Sequence, residues 1–565
     1  MFHNRGSFRQ CAAHLVGNQT IPDCQLYYSI HYHVVDERTS QNGGGGNDKG
    51  KCVDPRFRPH SRGQMADDFS LTNSDLKHYS HFDAPISLKE IERLVADEQR
   101  VASNKFYPFF LYHEEWQPYR SANAAKPEKK SRPIRYGARR DAYIFAHYRR
   151  KLSAPYERRL TDMGISDCPI AYRQIPKPGT NGGKCNIDFA KDSFDEVDRL
   201  GDCVAVALDI KGYFENLSHS RIKAIWCDLL GVDELPADHY AVFKNITKYR
   251  FVDQRSAYRR LGYLGLVQRG KHTIEGFTVP YREMPKQLCS PEDFRAKICG
   301  GDPTKPSLVQ KNALPHGVPQ GAPISDLIAN FYLIDFDAKL DQYARERGGK
   351  YVRYSDDILL IIPGGDTEAA AATAFATDEI KKHGEALEIK AAKTCVVKFT
   401  RSGEDLSFEH LTGPQGKNGL EYLGFRYDGR KVYVRESTIS RLYRKVSVAA
   451  KRDGTMHVLS NPTASSATLI GSFNYSLFSQ KFSRVKKGEL TDDYKSWTFY
   501  SYLKRAAQTF GPKGDRILPQ ARNFKEQMKE RVGKAIVRAH VRHKSQKISD
   551  AFANLNVETP PTSEV

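Results

Sequence analysis

The sequence predicts an α/β protein, more narrowly α+β: an antiparallel sheet near the middle of the chain, with helical and basic regions before and after it. Three observations predict it. Val204-Ala205-Val206-Ala207-Leu208 is a short apolar run ending in Asp209, the pattern of a strand buried on both faces. Tyr354-Ser355-Asp356-Asp357, with Val352 before it and the apolar run Ile358 to Ile362 after it, reads as the turn of an apolar hairpin. Helical patterns alternate with basic segments from about residue 86, and the chain is again helical and basic beyond residue 445.

In chain order, residues 1–85 are polar and irregular, and Gly43 to Gly46 reads as a flexible connector. Cys11, His14, Cys24, His31 and His33 are zinc-capable types there, but their spacing matches no tight paired pattern, so no structural zinc is expected. Within 86–200 the basic residues concentrate at Lys126, Lys129, Lys130, Arg132, Arg135, Arg139 and Arg140. Residues 201–428 carry the sheet, with an insertion at about 231–313 rich in Tyr, Arg and Gly. Residues 429–550 are basic and helical. Between 501 and 545 twelve Lys or Arg stand against three Asp or Glu, a local balance of +9. Lys534, Arg538 and Arg542 follow i, i+4 spacing beside an apolar stripe of Val532, Ile536 and Ala539, so one face packs and the other is left for a polyanion. Residues 551–565, with Pro560-Pro561 and no apolar pattern, are expected to be a disordered tail.

Composition narrows the partners. A chain of 565 residues can build two or three domains. Its net charge of +20 implies a polyanionic partner, because a phosphate backbone rewards Lys and Arg through counterion release. Thirty Tyr and twenty-nine Phe supply surfaces on which bases stack, although most belong to ordinary core. The ten Cys are scattered, with neither a secretory signal nor an apolar run long enough to span a bilayer, so a cytoplasmic, reduced protein with no membrane partner is expected.

The acidic residues carry the chemistry. Two like charges ~4 Å apart at an effective dielectric of ~20 repel by about 4 kcal/mol, so adjacent Asp356 and Asp357 call for a cation. A divalent metal is the usual answer. Asp209, 147 residues before Asp356, supplies a third carboxylate at the end of a neighbouring strand. Three such groups suit two Mg²⁺ ions ~3.5–4 Å apart, which activate an attacking hydroxyl and stabilise a leaving pyrophosphate. Mn²⁺ is the alternative metal.

These motifs stand in an order that resembles the reverse transcriptases. Asp209-Ile210-Lys211-Gly212-Tyr213-Phe214 resembles the first catalytic motif of that family, and Pro319-Gln320-Gly321-Ala322-Pro323-Ile324-Ser325-Asp326 the second. Tyr354 to Asp357 resembles the third, Lys390-Ala391-Ala392-Lys393-Thr394 the fourth, and Tyr422-Leu423-Gly424-Phe425 the primer grip. Arg132-Pro133-Ile134 and Ala171-Tyr172-Arg173 resemble fingers elements. The resemblance covers about 120–445 and implies a right-hand polymerase: fingers over 86–200, an antiparallel palm sheet over 201–428 and a helical thumb over 429–550. Gln287 to Pro291, Lys311-Asn312, Asn186 to Lys191 and Ile334 to Asp337 resemble the prokaryotic, defence-associated ("unknown group") members most.

The resemblance also implies roles. Asp209, Asp356 and Asp357 would be the metal ligands, with the Ile210 carbonyl assisting. Phe214 would crowd a ribose 2′-hydroxyl and select deoxynucleotides; packing as plain core is the other reading of that ring. Gln320, in a loop ahead of a helix N-terminus that favours phosphate, would contact the incoming nucleotide. Arg132, Arg139 and Arg140 would reach its triphosphate. Lys393 would be the general acid for pyrophosphate, and Gly424 would form the tight turn of the primer grip. The expected function is RNA-directed DNA synthesis in bacterial antiphage defence, with dNTPs as substrates, DNA as product and a structured non-coding RNA as template or scaffold. A homo-oligomer or a partner defence protein is also compatible. Two alternatives stay open from the residues: a maturase-like RNA-binding protein, and a template-independent or protein-primed DNA polymerase of the same fold. An idle-palm nucleoprotein is disfavoured because Asp209, Asp356 and Asp357 are intact.

Overall fold

The computed structural model describes residues 76–116, 128–180, 182–269, 272–413, 418–483 and 498–555. The expectations for the Gly43 run, for the Cys and His residues near the N-terminus and for Lys126 lie outside the described residues.

The first sheet joins β1 (Phe109–Trp116) to β2 (Lys130–Tyr136), antiparallel, with Glu114 opposite Arg132. Two strands from much later in the chain complete it: β4 (Arg250–Asp253), parallel to β1, and β7 (Gln310–Lys311), antiparallel to β4. The insertion at 231–313, expected within the palm, therefore extends the fingers-side sheet. Tyr258, Met284, Leu288 and Ile298 from it pack with Phe82 and Phe110 in one apolar cluster. The insertion also carries a two-stranded hairpin of β5 (Leu264–Arg269) and β6 (His272–Phe277). The end of the supposed N-terminal extension is built into the same unit, with His81 and Phe82 almost fully buried.

The central sheet runs β11-β10-β3-β9-β8, antiparallel throughout: β3 (Cys203–Asp209), β8 (Lys350–Tyr354), β9 (Asp357–Pro363), β10 (Cys395–Ser402) and β11 (Asp405–Thr412). Apolar residues at both parities explain its depth. Val204, Val206, Leu208, Ile358 and Leu360 point into one core, and Cys203, Ala205, Leu359 and Ile361 into the other. Successive side chains alternate faces, so a continuous apolar run serves a sheet covered on both sides.

One core is closed by the helices Arg139–Asp162, His219–Leu230, Ser325–Tyr332 and Ile334–Arg345, and the other by Asn186–Leu200 and the C-terminal helices. A three-stranded sheet of β12 (Leu420–Tyr422), β13 (Phe425–Tyr427) and β14 (Val432–Val434) leads into the long helix Glu436–Ser460, which packs on Phe524–Leu555. That last helix runs to Leu555, so residues 551–555, expected to be tail, belong to it. The result is the right-hand arrangement of fingers, palm and thumb, with strands as well as helices in the fingers.

Candidate active site

Asp209 is the last residue of β3 and Asp357 the first of β9, and the two are direct cross-strand partners. Opposed residues of an antiparallel pair project from the same face. Asp356 sits beside them in the two-residue turn between β8 and β9, and its carbonyl accepts the Ile210 N–H at 3.1 Å. The Asp209 carbonyl accepts the Lys390 N–H at 2.8 Å, which brings in the segment carrying Lys393. Lys393 Nζ donates to both carboxylate oxygens of Asp209, at 2.7 Å each. Residues 147 and 184 positions apart along the chain thus share one corner of the sheet.

The corner is short of positive charge. Burial first, then the charges of Asp357 and Asp209, push the Asp356 carboxyl up to about 7, and Lys393 only partly counters them. Among the described residues no three Asp, Glu, His or Cys side chains converge closely enough to ligate one ion as they stand. Both oxygens of Asp209 are taken by Lys393. In donor type and in charge the set fits a divalent cation: hard oxygen ligands, an excess of negative charge, and an ammonium on one of them. Ile210 is buried, paired with Ile389 across an isolated bridge.

The residues expected to face a nucleotide are laced together by backbone. Phe214 lies in a short 3₁₀ turn, Tyr213–Glu215, and its carbonyl accepts the Val318 N–H at 2.8 Å. Two residues on, the Gln320 carbonyl accepts the Arg135 N–H of β2 at 2.8 Å. Gly321, with φ +113°, lies so close to β2 that an added Cβ would meet the Arg135 carbonyl at 2.8 Å. The loop thus bridges Phe214 and the fingers strand, just ahead of the helix Ser325–Tyr332. Phe214 is itself only 9% exposed and belongs to the palm core, so the ring has a packing role whatever its edge faces.

The three arginines proposed for triphosphate contact part company. Arg132 lies on β2 with its guanidinium 5.6 Å over the Trp116 ring. Arg140 is exposed on the first turn of the helix Arg139–Asp162. Arg139 is corrected: it is 2% exposed, ion-paired with Asp83 at 3.4 Å and bonded to the Tyr79 and Asp83 carbonyls, so it holds the fingers together instead of reaching a ligand. Sequence spacing could not separate it from Arg140, because its partner Asp83 lies 56 residues away.

Tyr422 and Phe425 close the hairpin of β12 and β13, and the two turn residues, Leu423 and Gly424, have φ of +46° and +91°. Positive φ at both positions is the hairpin turn that suits strand twist, and it explains the glycine. The buried Asn186 side chain donates to the Leu423 carbonyl at 3.0 Å and to the Tyr502 hydroxyl at 3.1 Å, tying this turn to the thumb. In the last helix Val532 and Ile536 are fully buried and Ala539 nearly so, while Lys534, Arg538 and Arg542 are exposed; Lys534 pairs with Glu530.

Several residues have roles that the sequence reading did not assign. Arg353 and Asp337 form an ion pair of zero exposure at 2.6 Å behind the Asp356-Asp357 turn. Arg149 binds Asp326 through Nε at 2.9 and 3.0 Å and clamps the fingers helix to the loop helix. Arg135 stacks on Tyr249 and Phe251. Because β8 reads Lys-Tyr-Val-Arg-Tyr and is not an apolar run, Arg353 did not stand out in the sequence, although a buried arginine calls for a carboxylate partner.

Residues 272–427 match the family model described as reverse transcriptase (RNA-dependent DNA polymerase). No curated protein sequence gives a match. Among solved structures, the fold is similar to telomerase from Candida albicans with the TWJ fragment of telomeric RNA (14% identity, 82% of this chain and 67% of that one, TM-score 0.33). It is also similar to apo telomerase from Candida tropicalis (12%, 77% and 66%, 0.34) and to that telomerase with a TWJ fragment of telomeric RNA (12%, 82% and 68%, 0.31). The chain spans about two thirds of the length of these structures. It carries a reverse transcriptase domain, an RNA-directed DNA polymerase unit of the nucleotidyltransferase class. Among the described residues no helix is long and apolar enough to cross a membrane.

Proposed function

We propose that this chain copies RNA into DNA by nucleotidyl transfer at Asp209, Asp356 and Asp357. The observation that carries the reading is the cross-strand pairing of Asp209 with Asp357, which joins a residue outside the matched stretch 272–427 to the carboxylate pair inside it. Two Mg²⁺ ions, or Mn²⁺, held by these three carboxylates would activate the primer 3′-hydroxyl and stabilise the leaving pyrophosphate. In this reading Lys393, already at the carboxylates, gives a proton to the pyrophosphate oxygen. The Gln320 loop seats the nucleotide, and the edge of Phe214 excludes a 2′-hydroxyl. Arg132 and Arg140 offset triphosphate charge. The turn Tyr422-Leu423-Gly424-Phe425 supports the primer end, and Lys534, Arg538 and Arg542 track the duplex backbone.

The finer reading, a bacterial antiphage enzyme using a structured non-coding RNA as template or scaffold, is supported by the sequence resemblance of Asn186 to Lys191, Gln287 to Pro291, Lys311-Asn312 and Ile334 to Asp337. A cytoplasmic setting and a homo-oligomer or partner defence protein accompany it. Purified protein given Mg²⁺, a primed RNA and labelled dNTPs is expected to extend the primer. Asp209→Asn and Asp356→Asn should each lose about 10²-fold or more, the scale for removing one group that stabilises developing charge. An Asp209→Asn protein that extends at the wild-type rate would end the proposal. Sequencing the nucleic acid that copurifies before and after infection tests the defence setting.

A further inference from the structure

The turn that presents Asp356 and Asp357 is held in an unfavourable backbone state. Ser355 has φ +62°, a left-handed conformation that non-glycine residues rarely adopt, and it is buried. It is gripped from two sides. Arg353 Nη1 donates to the Ser355 carbonyl at 3.1 Å, and the Tyr172 hydroxyl donates to Ser355 Oγ at 3.3 Å. Tyr172 is itself left-handed, with φ +59°.

Each grip is anchored in turn. Arg353 Nε and Nη2 bind the two oxygens of Asp337 at 2.7 and 2.6 Å, and Nη2 also reaches the Asn330 carbonyl at 3.0 Å. The Tyr351 hydroxyl donates to Asp337 at 2.7 Å. On the other side, the Tyr172 carbonyl accepts Arg149 Nη2 at 2.9 Å, and Asn330 Nδ2 donates to the Ala171 carbonyl at 2.6 Å. The main chain at 168–170 is bonded to Arg353 itself, through Arg353 N–H to Cys168 O and Ile170 N–H to Arg353 O. A fully buried ion pair is a poor way to gain stability, since well-packed apolar residues of the same size often do as well. What apolar residues would not supply is a fixed N–H aimed at one carbonyl oxygen.

We propose that Arg353 is a positioning residue: clamped by Asp337 and aided by Tyr172, it locks Ser355 in the left-handed turn that sets Asp356 and Asp357 for metal binding. The inference rests on the metal-dependent polymerase reading. Its test is Mn²⁺ affinity of the purified protein, measured by electron paramagnetic resonance without nucleotide, alongside primer extension. Arg353→Lys keeps the charge and loses the fork; it should weaken Mn²⁺ binding about 10-fold or more, the scale for residues that orient metal ligands from behind. Ser355→Gly alone should bind nearly as wild type, because glycine adopts positive φ unaided. The double variant Arg353→Lys with Ser355→Gly should recover most of the loss, whereas a purely core-stabilising role predicts no recovery.

Wild-type affinity in Arg353→Lys, or a double variant no better than Arg353→Lys, overturns the inference. Should Arg353→Lys not fold, Tyr172→Phe carries the test, deleting one hydroxyl and leaving the ion pair intact. A several-fold loss of Mn²⁺ affinity, restored by Ser355→Gly, supports the inference, and unchanged affinity overturns it. Wild-type protein that neither binds Mn²⁺ nor extends a primer refutes the polymerase reading instead.

Discussion

Gly321→Ala tests whether the nucleotide loop depends on its seat against the fingers. At φ +113° a side chain is strained by about 1–3 kcal/mol whatever surrounds it. The new Cβ would also sit 2.8 Å from the Arg135 carbonyl and 3.1 Å from Ile134 Cγ2. The first neighbour is backbone of a paired strand and does not yield, so the loop must withdraw. Withdrawal breaks the bond from the Arg135 N–H to the Gln320 carbonyl, worth about 1 kcal/mol net. Together these give about 2–4 kcal/mol, and at about 1.4 kcal/mol per factor of ten the expected loss in kcat/KM for dNTP is roughly 30- to 10³-fold. Steady-state extension of a primed RNA, varying one dNTP, should show KM rising more than kcat falls, with the thermal unfolding midpoint as the check on folding. A variant within about threefold of wild type, with its fold intact, would refute the claim that β2 positions Gln320.

Other outcomes follow from the same geometry. Phe214→Ala should admit ribonucleotides in a competition assay, and since the ring is core it should also cost about 3–5 kcal/mol in denaturant unfolding; unchanged sugar selectivity removes the gate assignment and leaves the packing role. Replacing Lys534, Arg538 and Arg542 with Ala should flatten the log–log salt dependence of duplex binding by about 2–3, at about 0.7–0.9 per phosphate contact; an unchanged slope would remove that face from the duplex path. His81, buried against Phe110 and Tyr136 beside Arg139, has its pKa lowered to about 3 by burial and then by that guanidinium. The unfolded chain takes up the proton near 6.5 while the folded one does not, so His81 stabilises the fold above that pH and loses the contribution as pH falls from 6.5 towards 3. His81→Phe should lessen the fall in melting temperature between pH 7 and 4, and an identical fall in both proteins counts against it.

Elements whose pattern is local were legible. The run Val204 to Leu208 and the run Ile358 to Ile362 are β3 and β9, because a strand covered on both faces needs no polar alternation and announces itself by continuity. The amphipathic stripe Val532, Ile536 and Ala539 packs as its spacing implies, leaving Lys534, Arg538 and Arg542 outside. Domain membership was less legible. The stretch 231–313 lies between two palm motifs in sequence, yet β4 pairs with β1 across more than 130 residues, and such long-range strand pairing leaves no local mark in composition. Arg139 and Arg140 are adjacent and chemically identical, and only Asp83 separates a buried strut from an exposed cation.

The carboxylates were legible for a reason that also explains what was missed. Clustered like charge is costly wherever it occurs, so Asp356-Asp357 at the head of an apolar strand, with Asp209 ending another apolar run, signals a function. Its supporting frame gives no such signal, since each member is inconspicuous alone: an Arg in β8, an Asp one turn into a helix, a Tyr after a loop. Their meaning arises only when Arg353 meets Asp337 at 2.6 Å and its remaining arm reaches Ser355 at 3.1 Å. The stretches that resemble the defence enzymes include parts of that frame. Ile334 to Asp337 contributes the clamp on Arg353, and Asn186 to Lys191 the tie on the neighbouring turn at Leu423. One segment braces the carboxylate turn and the other the 422–425 turn. The chemistry is therefore argued from three aspartates and their register, whereas a template is reached only by recovering the nucleic acid that copurifies.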